Sequence, residues 1–507
     1  MKAVNKPWYT MKNGEATPLR NIPVLHYSEF KKTLVSLLKE KERHCVNYFA
    51  YPFQDGLWFI AAIADDSNAS IYVLSHRINN GESMSLDSIT PEINALHIFE
   101  REIFEKFNVQ FTGHPWLKPV RYPADRANKD SRINDYPFYQ VESHELHEVG
   151  VGPVHAGIIE PGHFRFICNG EEVLHLEIQL GWQHRGVEKL MTEKKKLLQR
   201  TVLSESIAGD TAIGHSLAFA QAMESLSGLK LSNQGLVERS LALELERIAL
   251  HTADISALCT DVAYNLGASI FGILRTGIIN FTQSWCGNRL GKGMIRVGGT
   301  HFPFTPQHAE RLSGVLEKYE FQFHELARHT YQLASVENRF DNIGTVTESQ
   351  MRAIGAVGMA ARMAGLRRDI RYSHPFAGFN RFPIATEIME NGDVYARFLL
   401  RRKEIETSIT WIKKILAEVK FEPAAEIPPA EIKLTPESLV VSLTEGWRGE
   451  ICHCAITDAK GELSIYKVKD PSLHNWKALE LSLRNLEISD FPINNKSYNL
   501  SYCGFDL

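Results

Sequence analysis

Residues 181–189 read GWQHRGVEK and residues 206–217 read SIAGDTAIGHSL, and these two stretches mark a change in the character of the chain. Short alternating segments, which are typical of strands, precede them at residues 163–168 and 173–178. Patterns typical of helices begin at the second stretch and recur downstream, at residues 203–226, 235–258, 322–337, 351–366 and 387–419. We therefore predict a unit that opens with small β-hairpins and continues mainly as long helices.

The chain upstream of residue 124 has a different pattern. Residues rich in β-branched and aromatic side chains predict strands at 45–52, 57–63 and 70–77, and residues 91–107 have the apolar spacing of a helix. Residues 124–150 are polar and lack apolar periodicity, which is typical of a linker. The fold class that we predict is an α+β N-terminal domain (residues 1–123), a linker (124–150) and a mainly α-helical domain with small β-hairpins (151–507).

The composition excludes several classes of protein. The chain has 507 residues, of which 44% are hydrophobic and 23% charged, and its net charge of −4 gives no reason to expect a nucleic-acid partner. No apolar run approaches the ~20 residues that span a bilayer, and no secretory leader is evident. The seven cysteines are scattered without a Cys-x-x-Cys motif, so we expect a cytoplasmic protein without disulfides.

A charged segment lies within the predicted N-terminal helix. Glu100, Arg101 and Glu105 are spaced so that, taken alone, they would form exposed ion pairs. Together with the Gly-His-Pro sequence at residues 113–115, however, this segment resembles the 30-kDa subunit of respiratory complex I. That resemblance implies a docking and folding element without a redox centre.

Three further motifs appear in a fixed order downstream. They are GPVH at residues 152–155, EPGHFR at 160–165 and GWQHRGVEK at 181–189. In this order they resemble the 49-kDa subunit of complex I and the large subunit of formate-hydrogenlyase-type, energy-converting hydrogenases. The fusion of a 30-kDa-like with a 49-kDa-like segment favours the hydrogenase side, and the resemblance covers nearly the whole chain.

The resemblance has a gap at the metal ligands. A nickel-iron centre needs four thiolates, which such hydrogenases supply as an early and a late Cys-x-x-Cys pair. The matching positions here are Ala208, Thr211, Ser501 and Gly504, with Cys503 out of register, so we predict that the chain binds no nickel-iron centre. Cys452 and Cys454 could form a metal pair, but burial on one face of a strand is the simpler prediction.

The resemblance also implies candidate catalytic residues. The 49-kDa subunit binds a quinone headgroup between a hairpin His and a Tyr on the following helix. His215 takes the tyrosine position here, while His155 and His163 lie in the hairpin region. Asp210 is a candidate proton carrier or a helix cap, and Arg371 either orients a carboxylate such as Asp210 or caps a helix.

These motifs imply a subunit of a membrane-attached oxidoreductase related to NADH:quinone oxidoreductase and hydrogenase-4. Its own chain would hold no cofactor, apart from a possible quinone. Iron-sulfur clusters would lie in a partner resembling the 20-kDa-type subunit, antiporter-like subunits would lie in the membrane, and the chain would be peripheral on the cytoplasmic face of the inner membrane. A catalytically silent scaffold and an active nickel-iron hydrogenase are the alternatives.

Overall fold

A computed structural model describes residues 6–156, 159–423 and 426–507 of the chain. Its strands are short in most places and long only in the N-terminal sheet. They are β1 (Tyr9–Met11), β2 (Ala16–Pro18), β3 (Val24–Leu25), β4 (Arg43–Phe53), β5 (Gly56–Asp65), β6 (Ser70–Ile78), β7 (Ser85–Asp87), β8 (Gln110–Thr112), β9 (His147–Val151), β10 (His163–Asn169), β11 (Glu172–Gln179), β12 (Ser438–Glu445), β13 (Glu450–Thr457), β14 (Leu463–Lys469) and β15 (Leu486–Glu487).

The α-helices are concentrated between the two sheet-rich ends. They are α1 (Tyr27–Leu38), α2 (His97–Phe107), α3 (Val187–Glu193), α4 (Leu197–Ser204), α5 (Ala212–Ser227), α6 (Asn233–Asp261), α7 (Asn265–Cys286), α8 (Pro306–Tyr331), α9 (Ala334–Phe340), α10 (Glu348–Ile354), α11 (Gly358–Arg362), α12 (Ile370–Ser373), α13 (Val394–Glu418), α14 (Ser472–Ser482), α15 (Phe491–Tyr498) and α16 (Tyr502–Asp506). Within the described residues, five 3₁₀ turns lie between these elements, at Leu19–Asn21, Asn94–Leu96, Ile133–Asp135, Ala377–Asn380 and Ile488–Asp490. The prediction of a fold that mixes helices with several small sheets is confirmed.

The N-terminal sheet separates two hydrophobic cores. Its strands run in the order β1-β6-β5-β4, and the three strands predicted from sequence are all present. Alternate residues of β5 enter different cores, because successive side chains of a strand point to opposite faces. Phe59 and Ile63 join the core around α1 and α2, whereas Trp58 and Ile60 join the core around α5 and α6. Because both faces of β5 are buried, its sequence is apolar at nearly every position instead of alternating between apolar and polar residues.

The C-terminal sheet is completed by a strand from the other end of the chain. Its order is β14-β13-β12-β2, and β2 pairs antiparallel with β12 through Thr17 and Leu439. Helix α5 packs against β12 and β13, with Ser442 donating a hydrogen bond to the carbonyl of Ala218. This packing fixes α5, and therefore the loop that precedes it, relative to the C-terminal strands.

Several predicted helices are interrupted in the structure. The helix predicted over residues 203–226 is two helices, and the helix predicted over 351–366 ends at Gly355, which adopts a left-handed conformation with φ of 74°. Gly358 then allows a close approach of two backbone segments, since a Cβ atom at this position would lie 2.1 Å from the Cα of Gly449. The helical periodicity continues through these breaks because both flanking segments face the same core.

The prediction of exposed ion pairs on α2 is wrong. Glu100 is fully buried and accepts hydrogen bonds from the backbone N–H of Ile89 at 2.7 Å and from the hydroxyl of Thr90 at 2.7 Å. Glu105 accepts bonds from two backbone N–H groups in the Pro-rich segment, those of Arg121 and Tyr122. The carboxylates therefore hold two loops against α2, which local helical spacing cannot reveal.

We expect Glu100→Ala to lower the free energy of unfolding by about 2–3 kcal/mol, because several buried donors lose their charged acceptor. Urea denaturation of the full chain measures this change. Glu29→Ala, at an exposed position on α1, is the matched control and should shift the midpoint little. Equal effects of the two substitutions would contradict a loop-holding role for Glu100.

Candidate functional site

The two segments expected to replace the metal ligands lie side by side. Arg185, from the GWQHRG motif, joins them by donating hydrogen bonds to the carbonyls of Ser206, Ile207 and Cys503. Ala208 and Thr211 are buried in the early segment, and Ser501 and Gly504 are buried in the late one. The structure therefore brings the four positions to one region, the 208/504 site.

An ion pair lies at the centre of the 208/504 site. The guanidinium of Arg448 donates two parallel hydrogen bonds to the carboxylate of Asp210, at 2.6 and 2.7 Å, and a third to the hydroxyl of Thr211 at 3.2 Å. Its Nε donates to the carbonyl of Asn499. Asp210 raises the pKa of Arg448 against the lowering effect of burial, so the guanidinium is fixed in its charged form.

Asp210 and Arg448 differ in exposure. The Arg448 side chain is 5% exposed, whereas the Asp210 side chain is 35% exposed. Four of the five N–H groups of Arg448 have acceptors, and the remaining N–H, on Nη2, has none among the described residues. The site therefore offers one charged donor and one accessible carboxylate at its outer edge.

His215 lies on the inner side of the site, fully buried in α5. Its Nε2 is 3.0 Å from Asp470 Oδ2 and its Nδ1 is 3.1 Å from Nε2 of His453. Asp470 in turn lies against Gly504, where an added Cβ would come within 2.6 Å of the carboxylate. A side chain at position 504 would therefore require the Asp470 carboxylate to move.

The two hairpin histidines bond to their own loop. The Nε2 of His155 is 2.8 Å from the carbonyl oxygen of Gly162, and the Nδ1 of His163 is 3.0 Å from that of Gly152. The hairpin itself borders the late segment, since an added Cβ at Gly162 would lie 2.7 Å from the Tyr502 ring. Burial, with a contribution from Glu160 in this hairpin, raises the pKa of the Cys503 thiol.

Arg371 does not orient Asp210. Its guanidinium pairs with Asp369 at 2.6 Å and with Glu244 at 3.0 Å, inside a buried network of charged groups. It also lies in α12, whose N-cap is formed by the Asp369 side chain. The residue that orients Asp210 is Arg448, in the Glu-Gly-Trp-Arg-Gly sequence of residues 445–449.

Glu246 connects the site to this buried network. Its carboxylate accepts hydrogen bonds from the backbone N–H groups of Ile213 and Gly214, in the first turn of α5. Burial, aided by the charge of Asp210, raises the pKa of Glu246 to about 8. At neutral pH this buried carboxyl therefore holds a proton.

No group of three or more His, Cys, Asp and Glu side chains within residues 6–156, 159–423 and 426–507 is placed to hold a metal ion. Cys452 and Cys454 are buried on the same face of β13, with their sulfur atoms 3.7 Å apart, as the strand periodicity predicted. Over the same ranges, no helix is both long and apolar enough to cross a bilayer.

Comparison with known protein families matches two parts of the chain. Residues 29–137 match the family described as "Respiratory-chain NADH dehydrogenase, 30 Kd subunit", and residues 268–431 match that described as "Respiratory-chain NADH dehydrogenase, 49 Kd subunit". The chain joins complex I domains of the 30-kDa and 49-kDa types. The resemblance predicted from the ordered motifs is thereby confirmed.

Relatives that match most of the chain include a formate hydrogenlyase subunit and an NADH-quinone oxidoreductase subunit. The chain is 24% identical over 471 residues to formate hydrogenlyase subunit 5 of Escherichia coli, covering 89% of this chain and 80% of that protein. It is 24% identical over 473 residues to the C/D subunit of NADH-quinone oxidoreductase from Phocaeicola vulgatus, covering 86% and 90%. Among solved structures, a chain of the archaeal membrane-bound sulfane sulfur reductase aligns with a TM-score of 0.66 and 19% identity, covering 73% of this chain and 100% of that one. That last likeness concerns the fold alone.

In this fused chain, we expect Arg448→Lys to lower the free energy of unfolding by about 2 kcal/mol, because lysine keeps the charge but cannot form the forked contact with Asp210. Arg402→Lys is the control, since Arg402 pairs with Glu406 on the partly exposed face of α13 and should cost below about 1 kcal/mol. Both are measured by urea denaturation of the full chain. Equal losses of unfolding free energy in the two variants would contradict a stabilising role for the bidentate Arg448–Asp210 contact.

The stability of the chain should also depend on pH through Glu246. Because its folded-state pKa of about 8 lies above the ordinary value, the native state binds more protons than the unfolded state between about pH 5 and pH 8. Stability should therefore fall as pH rises through this window, by at most ~1.4 kcal/mol per pH unit. Glu246→Gln should flatten the profile, whereas Glu29→Gln, at an exposed site, should leave it unchanged.

Proposed function

We propose that the chain is a subunit of a membrane-attached oxidoreductase related to complex I and hydrogenase-4, in which an Arg448–Asp210 ion pair replaces the nickel-iron centre. The single observation that carries this proposal is the forked Arg448–Asp210 contact between the two segments that would supply the metal ligands. The division into domains at residues 123 and 151, with a hydrogenase-large-subunit-like second domain, is part of the same proposal.

The donor set at the 208/504 site does not fit a nickel-iron centre. Ala208 and Gly504 have no donor side chain, and the hydroxyls of Thr211 and Ser501 are hard ligands with local hydrogen bonds. A guanidinium beside these positions would also repel a cation, since Arg448 is held in its charged form. The chemistry of the site is therefore that of hydrogen bonds and protons.

We propose a quinone-like or similar small acceptor for the outer edge of the site. A molecule of this class carries oxygen atoms that gain negative charge on reduction. The second N–H of Arg448 Nη2, which has no hydrogen-bond partner among the described residues, is a suitable donor to one of these oxygens. Asp210, partly exposed beside it, is a candidate proton carrier. His155 and His163 remain candidates at the neighbouring hairpin, whereas Arg371 would act only through the buried charge network.

Electrons would come from a partner, an iron-sulfur subunit of the complex I 20-kDa type. Apolar side chains beside the site support such a partner: Leu198 and Val202 on α4 are 56% and 51% exposed, and Val154 in the hairpin is 88% exposed. Antiporter-like membrane subunits would complete the assembly, with this chain peripheral on the cytoplasmic face. The similarity to formate hydrogenlyase subunit 5 and to the C/D subunit of NADH-quinone oxidoreductase supports this arrangement.

A scaffold without catalysis is the second candidate. The bidentate contact favours this candidate, because Arg448 and Asp210 already bind each other and need no ligand to compensate their charges. A scaffold needs the pair only for folding. An acceptor site needs the carboxylate of Asp210 for turnover.

We expect Asp210→Asn to lower turnover of the purified complex by about tenfold or more, because the amide cannot carry a proton. Decylubiquinone reduction by reduced methyl viologen, corrected for the uncatalysed rate, is the assay, and retention of all partner proteins is verified by gel electrophoresis in parallel. Asp55→Asn, in an exposed hairpin turn, is the control.

Unchanged turnover of an intact Asp210→Asn complex would favour the scaffold. Elemental analysis of the same preparations addresses the metal, and stoichiometric nickel in the wild-type complex would overturn the proposal altogether.

A further inference from the structure

A continuous line of four buried side chains crosses the C-terminal sheet and ends at the 208/504 site. The Tyr466 hydroxyl is 2.7 Å from His453 Nδ1, His453 Nε2 is 3.1 Å from His215 Nδ1, and His215 Nε2 is 3.0 Å from Asp470 Oδ2. None of the four is more than 2% exposed. A buried polar network is costly unless its members are hydrogen-bonded, and each of these four side chains bonds to its neighbour in the line.

The chemistry of the four groups gives the line a direction. Asp470 is ionised, because the hydrogen bond from His215 and the nearby positive charge of Arg448 lower its pKa against the effect of burial. A carboxylate only accepts, so a singly protonated His215 donates from Nε2 and accepts at Nδ1. His453 must then donate from Nε2 and accept at Nδ1 from the Tyr466 hydroxyl. All three hydrogen bonds therefore point from Tyr466 towards Asp470.

The inner end of the line meets the proposed acceptor site. Asp470 packs directly against Gly504, and its charge interacts with that of Arg448. A side chain at position 504 would require the Asp470 carboxylate to move, so the glycine at 504 and the position of Asp470 are sterically linked. The last proton acceptor thus lies beside the ion pair that replaces the metal.

The outer end of the line lies near an arginine that has spare donors. The charge of Arg200 interacts with Tyr466 and with Glu462, whose side chain is 57% exposed. Arg200 is only 7% exposed, yet its Nε and Nη2 have no hydrogen-bond partner in the described residues. Buried donors of this kind usually bind water, which would connect Tyr466 to the surface at Glu462.

We propose that Tyr466, His453, His215 and Asp470 form a proton relay that delivers solvent protons to the acceptor reduced at the 208/504 site. This inference rests on the proposed oxidoreductase function. In each passage three protons shift by one bond: Tyr466 O–H to His453 Nδ1, His453 Nε2–H to His215 Nδ1, and His215 Nε2–H to Asp470. Asp470 then gives its proton to the reduced acceptor, and water near Arg200 restores the Tyr466 hydroxyl. Two electrons from the iron-sulfur partner, one proton from the line and one proton from Asp210 complete the reduction of a quinone-class acceptor. Each passage leaves both imidazoles protonated on Nδ1, and both must return to their Nε2 tautomers before the next passage.

The shifts must be concerted because the interior disfavours charged intermediates. Burial lowers the pKa of His453 far below its ordinary range, so a free imidazolium at this position is costly. Burial also raises the pKa of Tyr466, and Arg200 is the group that works against this rise. The transient phenolate therefore has its stabilising charge at the end of the line where a solvent proton would arrive.

The relay is tested in the purified complex with Tyr466→Phe and His453→Gln, using decylubiquinone as acceptor and reduced methyl viologen as donor. Both variants should lose about tenfold or more of the turnover, together with the solvent deuterium isotope effect of the wild type. The matched control is Tyr319→Phe, which also removes a buried, hydrogen-bonded tyrosine hydroxyl, that on Thr252, but lies outside the line. Its turnover and isotope effect should remain those of the wild type.

The outcomes separate the relay from the function on which it rests. Wild-type turnover and an unchanged isotope effect in an intact Tyr466→Phe complex would overturn the relay and leave the oxidoreductase function standing. Absence of turnover in the wild-type complex would overturn that function and the relay together.

A second measurement does not need turnover. In the ¹⁵N-histidine-labelled full chain, the relay predicts that His215 and His453 both carry a proton on Nε2, with their signals assigned by their loss in variants such as His453→Gln. Protonation of either ring on Nδ1 alone would contradict the direction of the line and overturn the relay as written.

Discussion

The central constraint on this structure is the balance of charge in a buried network that joins four separate parts of the chain. Three arginines, Arg247, Arg362 and Arg371, bond there to four carboxylates, those of Glu244, Asp369, Glu404 and Glu445. The arginines lower the pKa of Glu244, Asp369 and Glu404, while burial raises that of Glu445. Three ionised carboxylates thus match three guanidinium groups, and burial disfavours the ionised form of the fourth acid, Glu445, by raising its pKa to about 7. Removal of any single member would leave an unpaired buried charge.

This network determines where the candidate site can form. Arg247 donates to the carbonyls of Glu445 and Gly446, which precede Trp447 and Arg448 in the turn that reaches Asp210. Glu246, which directly precedes Arg247 on α6, accepts a hydrogen bond from the backbone N–H of Ile213 in the first turn of α5, two residues after Thr211. Arg448 therefore follows one member of the charge network, Glu445, by three residues in the same turn, and Glu246 directly precedes another member, Arg247, on α6. Stability and site geometry cannot be changed independently here.

Local patterns predicted some elements well and others poorly. The strands β4, β5 and β6 were predicted because β-branched and aromatic residues are concentrated in them. The break between α4 and α5 was missed because Ala and Leu continue on both sides, while the break depends on Arg185 bonding to the carbonyls of Ser206 and Ile207. Glu100 and Glu105 were misread for the same reason, since their partners are loop backbone groups that helical spacing does not represent.

The sequence by itself determined the relationship to the complex I 30-kDa and 49-kDa subunits, because ordered motifs survive in the chain regardless of their contacts. It also identified Ala208, Thr211, Ser501 and Gly504 as the positions at which thiolates would be needed. Only the tertiary structure decided what lies among them, since Arg448 and Asp470 are more than 230 residues away from Asp210 and His215 along the chain. The line from Tyr466 to Asp470 depends on the pairing of β13 with β14 and on the packing of α5 against them. Hydrogen-bond geometry of that kind follows from register and packing, which residue spacing does not contain.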